Sequence, residues 1–398
     1  MPLPRPDIHF VANGLRRTAA PYGALKRYVS RALAEEAFGE ISAWRGYRPT
    51  PLIDLPKLAA RCGVSDIRCK DEGDRFGIGS FKALGGAYAV ARALRIAAGG
   101  ASPASITVAT ASDGNHGLSV AWGARRAGCR CVVFLHAGVS AGRQRLIEAE
   151  GATVVRVDGT YDMSTATAAA TAERSGWLLV PDTAPQFDEI PRDVMAGYGT
   201  MILELQDQYG PRFDPTHVFL QGGCGGLAAA VCGLMREADN SAEAPTIVVV
   251  EPDKADCLYR SALAGTPVVA DGALDTVMSG LSVGEVSALA WPVLAEGVDV
   301  FMTIPDEMAV WSMQAITAGA FGDPPIGIGD SGVAGLAGLI AACAHPAARE
   351  TMRLGPDSRV LVIATEGVVD RESTAEILAR DLRAEGYPAS AELEPIGA

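Results

Sequence analysis

A lysine at position 82 stands where a strand-like approach (Ile67, Cys69) and a glycine-bearing loop give way to a run with helical spacing, in Arg68 to Tyr88, RCKDEGDRFGIGSFKALGGAY. Ser80 is a candidate N-cap, and Gly85-Gly86 would let that helix pack close to a neighbour. An amine at a helix start feels the positive end of the helix dipole and has part of its stem enclosed. Both influences lower its pKa toward neutrality, which suits an amine that attacks a carbonyl. The competing reading is an ordinary exposed lysine in a first helical turn. On this stretch alone that plainer reading is the better one, because lysine is usually at the surface.

Other polar groups change the balance. Thr110-Ala111-Ser112-Asp113-Gly114-Asn115-His116-Gly117 lies directly after an apolar strand and before a helix, where backbone N–H groups and a helix N-terminus meet a ligand. Asn115 offers both donor and acceptor and Asp113 a carboxylate, although Asp-Gly-Asn is also an everyday turn. Gln221-Gly222-Gly223-Cys224-Gly225-Gly226 occupies a second strand-to-helix junction, where free amides could cradle a phosphate. It has neither the G-x-G-x-x-G order nor a P-loop Gly-Lys-Ser/Thr, which disfavours a dinucleotide or a nucleoside triphosphate. Tight packing is the alternative use of such a loop. Asp182-Thr183 and Thr365-Glu366-Gly367 end two further strands, and capping is an alternative for each. A reactive amine, an asparagine turn, a phosphate cradle and a hydroxyl together fit one cofactor, pyridoxal phosphate joined covalently to the lysine.

The elements that must position these groups follow in order. Residues 1 to 48 read as an irregular start, then a helical segment from Gly23 to Phe38. Thr50 to Leu55 reads as a short strand, Leu58 to Cys62 and Ala83 to Ala98 as helices. Strands at 106–109, 131–135, 153–157 and 178–180 alternate with helices at 117–127, 141–150 and 163–175. Helix 194–209 leads to strand 217–220, helix 227–237 and strand 246–250. Strands at 298–303 and 359–363 and helices at 306–319 and 333–344 complete the series, with a loose tail after Gly386. Such alternation predicts βαβ units and an α/β fold with two open, twisted, mostly parallel sheets, helices on both faces and the site between domains. The larger domain takes residues 1–72 and 189–398, the smaller 73–188.

Composition bounds the partners. Hydrophobic residues make up 48% of the 398 and charged residues 20%, which is a globular composition. A net charge of −13 and the lack of any basic run exclude nucleic acid as the main partner. The N-terminus has prolines at 2, 4 and 6 and no continuous apolar stretch, so it does not read as a signal peptide, and no run is long enough for a membrane span. The 8 cysteines include no C-x-x-C pair and no metal-type spacing; they read as reduced thiols of a cytoplasmic protein, and no metal site is expected.

Several blocks resemble the signature blocks of diaminopropionate ammonia-lyases. They are Lys70-Asp71-Glu72, Arg75-Phe76-Gly77, Phe81-Lys82-Ala83-Leu84-Gly85-Gly86, Asp113-Gly114-Asn115-His116-Gly117, Asp182-Thr183-Ala184, Gly197-Tyr198-Gly199-Thr200, Glu251 to Cys257 and Thr365-Glu366-Gly367. They run in the family's order from about residue 45 to about residue 370. The resemblance implies a fold type II, tryptophan-synthase-like enzyme, usually a homodimer, that converts 2,3-diaminopropionate to pyruvate and ammonia through an aminoacrylate. It implies that Lys82, with Phe81 beside it, holds pyridoxal phosphate. Asn115 would meet its phenolic oxygen, Gly222, Gly223, Cys224, Gly225 and Gly226 its phosphate, and Thr365 its ring nitrogen. A hydroxyl at that nitrogen leaves it largely unprotonated and favours prompt elimination over transamination.

By the same resemblance Lys82, Asp113 and Asp182 are catalytic, and Ser112, Asp113, His116, Asp182 and Thr183 line the substrate. Lys82, or Asp113 for a D-substrate, would take the α-proton, and Asp182 would hold the β-ammonium. The chain departs from the family pattern at Pro185, Gly79, Asp330 and Val368, all on the substrate side. The alternatives are a serine or threonine dehydratase, a β-substituted alanine lyase, and, from another class, a non-catalytic ligand-binding relative.

Overall fold

Apolar runs that end in glycine or polar turns form 11 strands among the described residues, and in the computed structural model these assemble into two sheets. The structure describes residues 3–17, 22–97, 102–112, 114–184, 188–210, 214–238 and 244–389. The strands are β1 (His9–Ala12), β2 (Leu52–Asp54), β3 (Asp66–Asp71), β4 (Thr107–Ala111), β5 (Arg130–His136), β6 (Thr153–Val157), β7 (Leu178–Leu179), β8 (His217–Gln221), β9 (Thr246–Pro252), β10 (Val300–Ile304) and β11 (Arg359–Ala364). The larger sheet has the order β1-β10-β9-β8-β11-β3-β2 and the smaller β6-β5-β4-β7. Only the edge strands β1 and β2 run antiparallel to their neighbours. The interior strands are buried on both faces, as the near-continuous apolar run Val-Leu-Val-Ile-Ala in β11 requires.

Strand order explains where chemistry gathers. In the larger sheet successive strands β8, β9 and β10 run outward in one direction, while β11 and β3 lie on the other side of β8. The crevice outside the carboxyl ends of β8 and β11 is therefore a switch point, the place where open α/β sheets bind ligands. The smaller sheet has its own between β4 and β7. The glycine loop follows β8, Thr365 follows β11, Ser112 to Asn115 follow β4 and Asp182 follows β7. Each candidate motif thus sits at a switch point.

The helix bearing the lysine, Lys82–Ala97, is buried along most of its length and packs against helices Asn115–Ala127 and Glu189–Tyr209. The last contact is close: a Cβ at Gly197 would stand 2.3 Å from the Leu84 carbonyl oxygen, so only glycine fits there. Beneath the loop that leads to Lys82 lies a fully buried ionic cluster. Lys70 Nζ meets Glu204 Oε2 at 2.6 Å, and Arg75 reaches both Glu72 and Glu204 at 2.7 Å. Thr50 Oγ1 donates to Glu72 at 2.5 Å, and the Thr50 carbonyl accepts from Lys70 at 2.9 Å. Burial lowers the Lys70 amine despite its carboxylate neighbours.

Several elements differ from the sequence expectation. The start is not irregular throughout, because β1 adds to the sheet edge. Helix 23–38 divides into a 3-10 turn at Tyr22–Arg27 and an α-helix at Arg31–Ile41, restarted where the Ser30 side chain accepts from Leu33 N. The helix expected from Val194 begins at Glu189, because Asp188 caps it and Pro191 falls in the first turn, where no helical N–H is needed. Ser80 does not cap the lysine helix, since its hydroxyl is buried without a partner. That helix start is set instead by backbone pairing: Phe81 N donates to Thr365 O at 2.9 Å and Gly367 N to Gly79 O at 3.0 Å. Pro388, at the head of the supposedly loose tail, is held where its carbonyl accepts from Trp311 Nε1 at 2.8 Å, and residues 390–398 lie outside the described residues.

Candidate active site

Lys82 is brought to the end of the smaller sheet by the turn that ties Phe81 to Thr365. Its Nζ donates to Asp182 Oδ2 at 3.0 Å, with side-chain exposures of 21% and 19%. The two residues are a hundred positions apart and meet because β7 ends beside the helix start. The sequence expectation of a lowered lysine pKa is reversed in the free amine. Burial would lower it, but Tyr198, Asp182 and Cys224 outweigh burial, and the amine rests well above its ordinary value. Of those three, Asp182 is the group ionised at neutral pH, so the carboxylate is what holds the charge. Reciprocally, Asp182 stays ionised down to about 2 in spite of burial, chiefly because the Lys82 ammonium faces it.

His116, behind this pair, is fully enclosed, with Nε2 2.9 Å from the Val180 carbonyl. Burial lowers its pKa, so it is neutral, and Nδ1 is left without a partner. Ser112 accepts amides from Gly114 at 3.0 Å and Gly117 at 2.8 Å, which shapes the loop and leaves its own proton to donate. Asn115, at the first turn of its helix, reaches across to the Glu366 carboxyl with Nδ2, while its Oδ1 is buried with no donor. Thr183 is half-buried beside Asp182. Asp113 and Pro185 lie outside the described residues.

Across the crevice the glycine loop turns through Gly223 and Gly225, both at positive φ. A side chain at Gly225 would also meet Leu294 at 2.7 Å, so the conformation belongs to glycine alone. Among the described residues, the amides of Gly223, Cys224 and Gly226 bond to no backbone carbonyl. They open onto the start of helix Gly226–Ala238, an anion-binding arrangement. Cys224 is half-buried, and burial and Asp182 raise its thiol, so it is neutral. Gln221 Nε2 donates to the Gly332 and Ile363 carbonyls at 2.6 and 2.7 Å and stands 3.3 Å from Thr365 Oγ1. All 8 cysteines are unpaired.

Two residues of the site were not assigned a role from the sequence. Tyr198 packs its ring on Phe81, centroids 4.6 Å apart, and its buried hydroxyl faces Lys82, whose Nζ stands 5.9 Å from its ring centre. Gln221 ties β11 to residue 332 through the Ile363 and Gly332 carbonyls and leaves its own Oε1 unpaired. The only signal for Tyr198 was its place in a signature block; Gln221 was visible as the polar residue ending an apolar strand. Around Lys82, then, Asp182, Tyr198 and Cys224 gather beside the amide-lined loop, and buried polar atoms of Ser80, Asn115 and His116 are left unpaired. That is the chemistry of a cleft built for a polar, phosphorylated ring, and pyridoxal phosphate fits it: anion cradle, amine and hydroxyl face one crevice.

Fold and site together define a pyridoxal-phosphate-dependent enzyme of the two-sheet type, and a family model for pyridoxal-phosphate dependent enzymes matches residues 43–366. Diaminopropionate ammonia-lyase of Escherichia coli strain K12 is 37% identical over 354 residues, 84% of this chain and 88% of that protein. The enzyme of the same name from Salmonella typhimurium is 35% identical over 346 residues, 81% and 85% of the two chains. The crystal structure of the Escherichia coli enzyme in complex with an aminoacrylate-PLP azomethine reaction intermediate superposes with a TM-score of 0.85 at 34% identity, covering 98% of this chain and 100% of that one. The chain belongs to the diaminopropionate ammonia-lyase family. A threonine deaminase from Solanum lycopersicum shares the fold with a TM-score of 0.73 at 23% identity. No helix among the described residues is long and apolar enough to cross a membrane.

Proposed function

We propose that this enzyme eliminates ammonia from 2,3-diaminopropionate, adding one water to yield pyruvate and two ammonia molecules. The observation that carries the reading is the Lys82–Asp182 pair, an amine and a carboxylate 3.0 Å apart facing the amide-lined loop. The bound cofactor supplies an electron sink for the charge that develops at the substrate α-carbon. Lys82 is the group that would hold the cofactor, and its amine, when free, would take the α-proton. Asp182 anchors the lysine charge before exchange and the substrate β-ammonium after it; an ammonium needs no further acid to depart as ammonia. Neutral His116 keeps the floor of the cleft uncharged. The loop Gly222–Gly226 would hold the phosphate, Asn115 the phenolic oxygen and Thr365 the ring nitrogen. Ser112 and Thr183 border the substrate, and Asp113 serves the D-enantiomer.

We place the lobe boundaries at 72/73 and 188/189; every strand of the smaller sheet lies within that span, which supports them. A homodimer in the cytoplasm accords with the family resemblance and with the unpaired thiols. A second reading, dehydration of threonine or serine, is favoured by a 32% identity to a Pasteurella multocida biosynthetic threonine dehydratase over 56% of this chain. The purified enzyme assayed for keto acid on D- and L-diaminopropionate, serine and threonine decides. Turnover dominated by the diamino acids is expected; rapid turnover of hydroxy amino acids alone would overturn the reading.

A further inference from the structure

Glu366 lies next to Thr365, is buried at 3% exposure and belongs to none of the steps above. Its Oε1 accepts the Ser331 amide at 3.0 Å, and its Oε2 meets the Asn115 side-chain amide across the cleft. The charged groups facing it are Asp330, from the loop before helix Ala334–Ala344, and Arg143, from helix Ala141–Ala149. Asp330 accepts from Ser279 and Ser331, and Arg143 bonds Ser279 Oγ at 2.9 Å. Burial and the Asp330 carboxylate raise the Glu366 carboxyl, outweighing Arg143 and the two N–H donors. With Glu366 ionised, Asn115 Oδ1 is a buried acceptor without a donor, which is costly. A proton on Oε2 and a half-turn of the Asn115 amide remove that cost. The Glu366 O–H then donates to Asn115 Oδ1, and the NH2 group takes up the place Oδ1 had.

We infer that Glu366 is a positioning residue: its carboxyl donates from Oε2 to Asn115 Oδ1 and so turns the asparagine NH2 toward the ring oxygen of the cofactor. The inference rests on the assignment of that cleft to pyridoxal phosphate. It makes one contact between the two sheets' switch points do two tasks, tying the Thr365 segment to the Asn115 turn and fixing the polarity of the asparagine amide.

The test compares Glu366→Gln, which keeps a donor of the same length, with Glu366→Met, which keeps length alone, each also in an Asn115→Ala background. Equilibrium affinity for pyridoxal phosphate is measured on resolved and reconstituted enzyme, and infrared difference spectra of the parent against E366Q report the protonated acid. The expected results are E366Q within about threefold of the parent, E366M weaker by about tenfold or more, about 1.4 kcal/mol. The E366M loss should disappear when Asn115 is already alanine, and an acid carbonyl band should be lost in E366Q. E366Q as weak as E366M, E366M as tight as the parent, or no acid band overturns the inference. A parent that binds no pyridoxal phosphate would refute the cofactor assignment instead, and the infrared band would still decide the state of Glu366.

Discussion

Replacing Asp182 by asparagine separates the two services that this carboxylate performs. In the parent it stands 3.0 Å from the Lys82 amine, and its own pKa falls from 3.8 to about 2 although burial alone would raise it. That net displacement is worth about 2 kcal/mol, and Lys82 is the largest of the groups that produce it. In D182N the amine loses this stabilisation and its pKa falls. At neutral pH the neutral amine population then rises by roughly thirtyfold, the equivalent of about 2 kcal/mol. The assay is stopped-flow capture of pyridoxal phosphate by apoenzyme between pH 6 and 9, read by the appearance of visible absorbance. Capture should accelerate at neutral pH and its pH profile move to lower pH, while kcat on diaminopropionate falls by at least tenfold for want of a β-ammonium anchor. The stability sign follows from the depressed carboxyl: its contribution is present above pH 3.8 and lost as pH falls through about 2. The apo variant should thus be less stable by about 2 kcal/mol at neutral pH, with the gap closing near pH 2. An unchanged capture profile in D182N would refute the claim that this carboxylate holds the lysine charge.

Other perturbations probe the rest of the cleft. Lys82→Ala should abolish the visible absorbance of reconstituted enzyme, as read by spectrophotometry after dialysis. Tyr198→Phe keeps the ring packed on Phe81 and removes only the hydroxyl that faces Lys82; kcat should fall by about tenfold, about 1.4 kcal/mol, with KM little changed in steady-state kinetics. Gly225→Ala should weaken cofactor affinity by at least tenfold in equilibrium dialysis, because the residue sits at φ +97 against Leu294. Glu204→Gln strands Lys70 and Arg75 in a fully buried cluster and should cost about 3–5 kcal/mol in denaturant unfolding. Adding Lys70→Met to E204Q restores charge balance, and the double variant should lose less than the two single losses added.

How much of this was legible in the chain depended on how local each signal was. The glycine loop, the asparagine turn and Thr365 were visible because each is a short polar interruption between a strand and a helix, and an open α/β sheet delivers such junctions to its carboxyl edge. Lys82 was visible by position but not by state. Its pKa was expected to fall because the dipole and burial are properties of its own segment, whereas the partner that raises it arrives from β7, a hundred residues away. Tyr198 was hidden for the same reason, since helix periodicity marks it as core and only the close Gly197 contact turns its ring over Phe81. Ser80 was misread because a helix start with a serine before it suggests a cap, while here the backbone of residues 365–367 does that work.

The same reasoning changes what the Lys70 to Arg75 block means. As residue types, a lysine, three carboxylates and an arginine within six positions look like catalytic machinery. In the fold Lys70 and Glu72 point away from the cleft and pair with Arg75 and with Glu204 of the long helix 189–209, at exposures of 0 to 1%. A buried, balanced quartet adds little net stability over an apolar packing, yet it tolerates only one geometry, since each charge needs its own partner. That geometry fixes where β3 ends and the loop to Lys82 begins, and the same helix 189–209 also carries Tyr198 over the lysine. Position of the catalytic amine and position of its hydroxyl neighbour are therefore set by one ionic joint. On this account Glu204→Gln should disturb the cleft as well as the fold, which makes a drop in cofactor affinity of E204Q, restored when Lys70→Met is added, the outcome that distinguishes a joint from a mere weight-bearing cluster.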